Sequence, residues 1–456
     1  MTCTEDVATA DAWAALGGRD ELLRNLSYRP VAGVLPARLP VRELARATVG
    51  VCSLAAAELL AQRNGVPLPA VTVDEGAVAT AFVSERHLRI DGRAPTGFAP
   101  LSGFWPTADG WVRTHANYPH HRARLLQALA IPDSGDDQAL RLRLAEELAA
   151  RPAEWVQQTV CAAGGLAVAF ATDTAAPVRP LLERTVVGAA APRVLPGGAA
   201  LPAEGVRVLD LTRVIAGPVA TRTLAFLGAD VLRVDSPRLP EDPDAHADTG
   251  MGKRSTLLDL ADAGDLRAFE ALLDSADVVV TGYRPGSLDR YGLAPDALLA
   301  RRPGLVVAHL QAWDPAGPWA GRRGFDSLVQ AATGIAAAEG GADGRPGVLP
   351  AQALDHGTGY LLAAAVLRSL TERQTEGGGR TLGLSLAATA SWLLHGVRPL
   401  PEEPEAVRFD PELWLTETDS PYGRLQHALP PVHYAGAPAD WRRPPARWGS
   451  EEPRWS

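Results

Sequence analysis

The feature that most constrains this chain is the alternation of short β-branched runs with helical segments in its second half. Val206–Leu211 (VRVLDL), Ala229–Asp235 (ADVLRVD), Asp277–Thr281 (DVVVT) and Leu305–Leu310 (LVVAHL) are mostly apolar runs of strand length. Between them, Val219–Leu227 has helical character and stops at Gly228, and Leu266–Leu273 is helical. Strands that read as near-continuous apolar runs are buried on both faces, and strands that alternate with helices lie parallel. The pattern predicts an α/β domain on a parallel sheet over residues 205–395.

The first 190 residues read differently. Leu44–Gln62 is an Ala/Leu-rich helix, Ala70–Asp74 a short strand and Glu75–Val83 a helix. Trp105–His115 carries a hairpin signal with Asp109-Gly110 at its turn, and Leu125–Ile131 and Leu140–Leu148 are helical. A Pro/Gly cluster from Pro192 to Glu204 reads as a linker. There is an internal echo. Ser53–Leu60 (SLAAAELL) precedes a turn and AVTVD, much as Leu361–Arg368 (LLAAAVLR) precedes a turn and RTLGLS. Setting Leu54 against Leu362 puts Ala47 opposite Asp355.

Composition removes several classes. With 46% hydrophobic and 21% charged residues the chain is globular. A net charge of −9 argues against a general nucleic-acid or membrane binder. Cys3, Cys52 and Cys161 are too few and too far apart for a disulfide framework or a zinc site, which fits a reducing cytosol. Glu5, Asp6 and Asp11 stand where a secretory leader has basic residues. The longest apolar stretch, near Ala162–Ala171, is short for a membrane span. A cytoplasmic protein is expected. Of the 44 basic residues only Lys253 is lysine, so a compact ammonium is the functional reading at that position.

Chemistry-bearing residues gather near strand ends. The first strand runs into Asp210–Pro218 (DLTRVIAGP), a strand-to-helix turn of the kind that binds anions. A nicotinamide fold needs GxGxxG there, and only Gly217 is present. Lys253, Arg254, Tyr283, Arg284, Arg290, Arg322 and Arg323 are expected just after a strand or in a loop that follows one, and a basic rim at that sheet end suits a phosphate-rich ligand. Asp355 opens an apolar helix in PAQALDHGTGY, where an N-cap is the structural alternative. His356 reads as a bystander.

Residues 204–395 resemble the family III CoA-transferases of the CaiB/BaiF type. The resemblance rests on VRVLDLTRVIAGPVATRTLAFLGADVLRVDSP, GKRSTLLDL, ADVVVTGYRPGSLDRYGL, GFDSLVQAATG and LDHGTGYLLAAAVLRSL, in that order. It implies a Rossmann-like large domain, an α+β small domain and a homodimer of the interlocked kind. It places the family's aspartate nucleophile on Asp355 and an acidic residue near the reaction centre on Asp326. CoA contacts fall on the turn Arg213–Ala216, including Ile215 and Ala216, and on Lys253, Tyr283, Arg290 and Arg323. Gly252 and Gly282 depart from the asparagines common before the lysine and the aromatic residue. Residues 85–190 resemble the small domain, which in the family follows the nucleophile half. A rearranged order is therefore expected: 1–84 a partial first copy, 85–190 the small domain, 191–204 a linker, 205–395 the CoA-binding half and 396–456 a return segment.

The implied reaction is transfer of coenzyme A from an acyl-CoA to a carboxylic acid through an aspartyl anhydride and an aspartyl-CoA thioester. Backbone N–H groups at the helix start beyond Asp355 are expected to hold the oxyanions. No metal and no tightly bound cofactor are implied. Two alternatives stay open. A 2-methylacyl-CoA racemase has a histidine where this chain has Phe325, and a non-catalytic acyl-CoA binder would keep the cleft without the chemistry.

Overall fold

The computed structural model describes residues 6–173, 178–401 and 407–456. Cys3 and Glu5 lie outside the described residues. The main sheet has seven strands: β1 (Glu183–Val187), β2 (Arg207–Leu211), β3 (Asp230–Asp235), β4 (Arg254–Leu257), β5 (Val278–Thr281), β6 (Val306–Gln311) and β7 (Gly379–Ser385). Their order is β4-β3-β2-β5-β6-β7-β1. All neighbours are parallel except β1, which pairs antiparallel with β7. The order of strand addition reverses between β2 and β5, and a crevice opens there beyond the carboxyl ends of the strands.

Period-two geometry gives the sheet two cores. Val278, Val280, Val306 and Ala308 pack toward one face, while Val279, Val307, Leu209 and Leu232 join Phe269 and Leu298 on the other. The first face is covered by helices α3 (Ala216–Phe226) and α5 (Ala353–Glu376), and α1 (Val41–Asn64) packs against α5. Helix α1 is long and apolar enough to cross a membrane by length and composition, with a mean hydropathy of 1.5, yet its apolar window is wholly buried in this fold. It outranks the 162–171 stretch in this respect.

The echo has a structural counterpart. Leu26–Arg29 and Val71–Asp74 are parallel strands joined by α1, as β6 and β7 are joined by α5. Both helices have 24 residues. They run side by side: a side chain on Gly357 would reach Leu44 Cδ2, Arg368 pairs with Glu58, and Gln62 donates to the Thr371 carbonyl. Ala47 is fully buried in the core.

A smaller unit pairs Gly103–Pro106, Trp111–Thr114 and Ala167–Ala169 in an antiparallel sheet packed by α2 (Pro119–Ala128) and by helices Asp137–Ala149 and Ala153–Ala162. The hairpin turn closes through Thr107 and Gly110 as expected. Two boundaries differ from the sequence reading. β1 falls inside the range assigned to the small unit, but its backbone completes the edge of the large sheet. Arg89–Ile90 pairs with Gly423–Ala428 of the C-terminal segment, not with the small sheet. That segment returns across the large sheet, where Glu451 N–H donates to the Ser255 carbonyl on β4. Two further helices position the site: α4 (Asp326–Ala332) and α6 (Leu386–His395).

Candidate active site

A cavity of about 620 Å³ opens at the switch point. Its floor comes from the ends of β2 and β5, with Leu211, Arg213, Val214, Gly282 and Tyr283. Arg290, Arg323, Phe325 and Asp355 border it from the large domain, and Tyr118, His120, His121 and Arg124 from the small unit. The structure brings Arg213, Ala216, Tyr283, Arg290, Arg323 and Asp355 together around this one cavity. Reading by motif missed the small-unit residues, whose only signal was the His120-His121 pair leading into a helix.

Asp355 sits in the first turn of α5 and is 6% exposed. It does not cap that helix. Asp326 does, accepting the N–H groups of Leu354 at 2.9 Å and Asp355 at 3.0 Å on Oδ2. Gln330 donates to the other Asp326 oxygen. Burial, the Asp326 charge and the Glu85 charge hold the Asp355 carboxyl well above the usual carboxylate range. Burial pushes Asp326 up to about 6, against the hydrogen bonds that favour its charge. Asp326 thus holds the start of α5 from behind and does not line the cavity. The helix start is not a free oxyanion hole: the Leu354 and Asp355 N–H groups serve Asp326, and His356 N–H donates to the Gln352 carbonyl at 3.0 Å. His356 turns away into the core, stacked on Phe82 at 5.3 Å with Nε2 3.7 Å from Glu85.

The turn after β2 is built under strain. Val214 has φ +73°, a left-handed conformation that costs a β-branched residue roughly 1–3 kcal/mol. Gly217 is required where it stands, because a Cβ there would lie 2.4 Å from Thr212. Ile215 precedes α3 without a capping side chain and lies outside the cavity wall, while Ala216 lines it. Arg213 lines the cavity with its charge committed: it pairs with Glu241 at 3.2 Å, and Arg233 and Arg213 hold Glu241 down at about 2. Tyr118 also donates to Glu241, at 2.9 Å.

Lys253 overturns its expected role. It precedes β4 and does not follow a strand, is 1% exposed, and does not reach the cavity. Its three donors go to Asp210 Oδ2 at 3.0 Å, Thr221 Oγ1 at 2.7 Å and the Pro218 carbonyl at 3.1 Å. No N–H is left for a nucleotide. Asp210 also accepts from the Thr212 N–H and hydroxyl, so the lone lysine locks the β2 turn to α3 from behind. The compact ammonium is needed for a buried counter-ion.

The free positive charge lies elsewhere. Arg284 and Arg323 have no carboxylate partner among the described residues, and burial, Arg284 and Arg124 lower the Arg323 affinity for its proton. Three guanidiniums near one another without a counter-charge leave this rim of the cavity electropositive. Tyr283 stands at the same end, its hydroxyl pushed up to about 12 by burial and by Asp235.

Residues 203–399 match the family described as CoA-transferase family III. This segment is similar to the family III CoA-transferases. The chain is 36% identical over 191 residues to the "Probable fatty acyl-CoA transferase Rv3272" of Mycobacterium tuberculosis, covering 39% of this chain and 48% of that protein. The "Acetyl-coenzyme A transferase nodX" of Hypoxylon pulicicidum is 35% identical over 237 residues, 50% of this chain and 38% of the relative. A "Formyl-CoA:oxalate CoA-transferase" of Afipia carboxidovorans is 34% identical over 195 residues, 40% of this chain and 46% of the relative. Among solved structures, Rv3272 in its orthorhombic form aligns with TM-score 0.40 and 35% identity over 42% of this chain and 55% of that one. A CAIB/BAIF family protein from Brucella suis aligns with TM-score 0.40 and 29% identity over 43% of this chain and 58% of that one. The chain spans about half the length, or less, of the curated relatives it matches.

Proposed function

We propose that this protein is a CoA-transferase that moves coenzyme A from an acyl-CoA to a carboxylic acid through Asp355. One observation carries the reading: a desolvated carboxyl group and an unneutralised arginine cluster share one cavity at the sheet's switch point. Arg284, Arg290 and Arg323 are suited to the phosphates of CoA. Ala216, in the first turn of α3, lines the floor on which the rest of the cofactor would lie.

The steps balance without an outside reactant. The ionised Asp355 oxygen attacks the thioester carbonyl and expels CoA thiolate, leaving a mixed anhydride. The thiolate attacks the aspartyl carbonyl, which releases the donor's carboxylate and leaves an aspartyl-CoA thioester. The acceptor carboxylate attacks that thioester, again freeing thiolate, and the thiolate then attacks the acceptor's carbonyl. The acceptor leaves as its CoA ester and Asp355 returns as carboxylate. The raised proton affinity of Asp355 makes its ionised form a better nucleophile than an ordinary carboxylate.

The small unit belongs to the same proposal. Residues 101–169 serve as the family's smaller domain, set ahead of the nucleophile half, and Tyr118 and His121 reach the cavity from it. The homodimer implied by the resemblance is tested by the mass of the assembly in solution. For the chemistry, Asp355→Ala is expected to abolish exchange and retain CoA binding. Hydroxylamine added with acyl-CoA is expected to leave a hydroxamate on Asp355 of the unsubstituted enzyme. Undiminished exchange in Asp355→Ala would refute the mechanism.

A further inference from the structure

His356 follows the nucleophile along α5, and the transfer steps make no use of it. It is 1% exposed, and both ring nitrogens are shut off from water without a hydrogen-bond partner. Its Nε2 lies 3.7 Å from Glu85 Oε2, an oxygen that is also shut off from water and accepts no hydrogen bond. Each of these atoms is costly to bury alone, and as an ion pair they answer one another. A desolvated ion pair contributes little net stability. Its larger effect is on a charge beside it.

The pair is held from several segments. Phe82 stacks on His356 at 5.3 Å and on Tyr360, one turn further along α5, at 5.8 Å. Glu85 lies on the short helix Ser84–His87, which is tied to the large domain through Ser84. Ser84 Oγ donates to Asp248 at 2.9 Å and accepts from Arg222 of α3 at 3.1 Å. The charged and titratable groups that face Glu85 are His356 and Asp355 on α5, Arg222 on α3, and Arg86 and His87 on its own helix. Arg222 is paired with Asp248 at 3.2 Å, and Arg86 meets Glu85 Oε1 at 3.7 Å on the solvent side. His356 is therefore the buried counter-charge on the side that faces the nucleophile helix.

Asp355 must ionise to attack a thioester, and the charges of Asp326 and Glu85 oppose that step. Burial raises the Glu85 carboxyl, but the closeness and charge of His356 outweigh burial and leave it below the ordinary carboxylate range. With His356 in place, Asp355 faces a compensated pair. Without it, Asp355 faces an uncompensated carboxylate. We propose that His356 and Glu85 are positioning residues for the transfer reaction, in which His356 offsets Glu85 and the pair sets how readily Asp355 gives up its proton. This rests on the CoA-transfer reading and adds to it a residue from outside the nucleophile half.

The full-length chain is assayed across acid to alkaline pH with acetyl-CoA as donor and butanoate, oxalate and succinate as acceptors. The ascending limb of kcat/KM is located for each variant. Glu85→Gln is expected to move the limb about one pH unit lower, and His356→Gln about one pH unit higher. In the double variant, which removes both charges, the two shifts are expected to cancel. A pair that only supports the fold would lower kcat and the melting temperature without opposite displacements of the limb. The Asp355 carboxyl is also titrated without turnover, through the infrared carbonyl band that Asp355→Asn removes, and this band is expected to show the same shifts. Where His356→Gln does not fold, the shift in Glu85→Gln alone decides. A limb and a band that stay in place in the single variants overturn the proposal. Shifted bands with no CoA ester from any acceptor would uphold the pair and bring down the transfer reading instead.

Discussion

Asp326 holds the helix start that presents Asp355, accepting the backbone N–H of Leu354 and of Asp355 on one oxygen. One carboxylate thus positions another and raises its proton affinity. The two groups titrate as a pair. Attack on a thioester needs Asp355 ionised, so kcat/KM should rise with pH through an apparent pKa above the ordinary carboxylate range. Asp326→Asn keeps an acceptor for the two N–H groups and removes the charge. The ascending limb of its pH profile is expected to move to lower pH. An unmoved limb would show that Asp326 has no electrostatic hold on the nucleophile.

The same burial makes Asp355 a stability liability. Its folded-state proton affinity lies above the unfolded value, so its ionised form costs stability at neutral pH and the cost disappears as pH falls below the unfolded carboxyl range. Asp355→Asn should melt at a higher temperature than the unsubstituted protein at pH 7, lose that advantage near pH 4, and have no transferase activity. Thermal melts at the two pH values check this.

Lys253 is a structural counter-ion. Lys253→Met leaves Asp210 buried with hydroxyl and amide donors only, and is expected to cost about 3–5 kcal/mol in denaturant unfolding. CoA affinity of the folded fraction should change less than about threefold, because its ammonium contacts only protein. A large loss of CoA affinity with unchanged stability would restore the nucleotide role expected from the sequence.

The arginine cluster is expected to carry the anion. Arg284→Ala and Arg323→Ala should each weaken CoA binding about tenfold, and the salt dependence of binding should fall in both. Titrations at two ionic strengths test this. Arg213→Ala should have a different signature, disturbing stability as well, since Arg213 is tied to Glu241.

Much of the sheet was legible because its central strands bury both faces and so read as apolar runs, as in Val278–Val280. β4 was not, because Arg254, Ser255 and Thr256 are polar residues whose burial depends on distant partners, the neighbouring strand with Asp230 and the returning C-terminal segment. Ser255, for example, is held by Glu451 and Gly449. β1 was hidden because it is an edge strand far from its partner in sequence. The cap on the Asp355 helix comes from a residue 29 positions upstream, and no local pattern reports such a bond. Lys253 was noticed for its rarity, but only three-dimensional placement shows its partner to be Asp210.

The most direct test of the central claim follows one oxygen atom. The enzyme is turned over with an acceptor acid carrying heavy oxygen in its carboxylate, and the peptide containing residue 355 is examined by mass spectrometry. If Asp355 passes through an anhydride with the acceptor, collapse of that anhydride leaves a heavy oxygen on its side chain, and the label is predicted there. An unlabelled Asp355 after many turnovers, with labelled CoA ester in solution, would contradict covalent transfer through this residue.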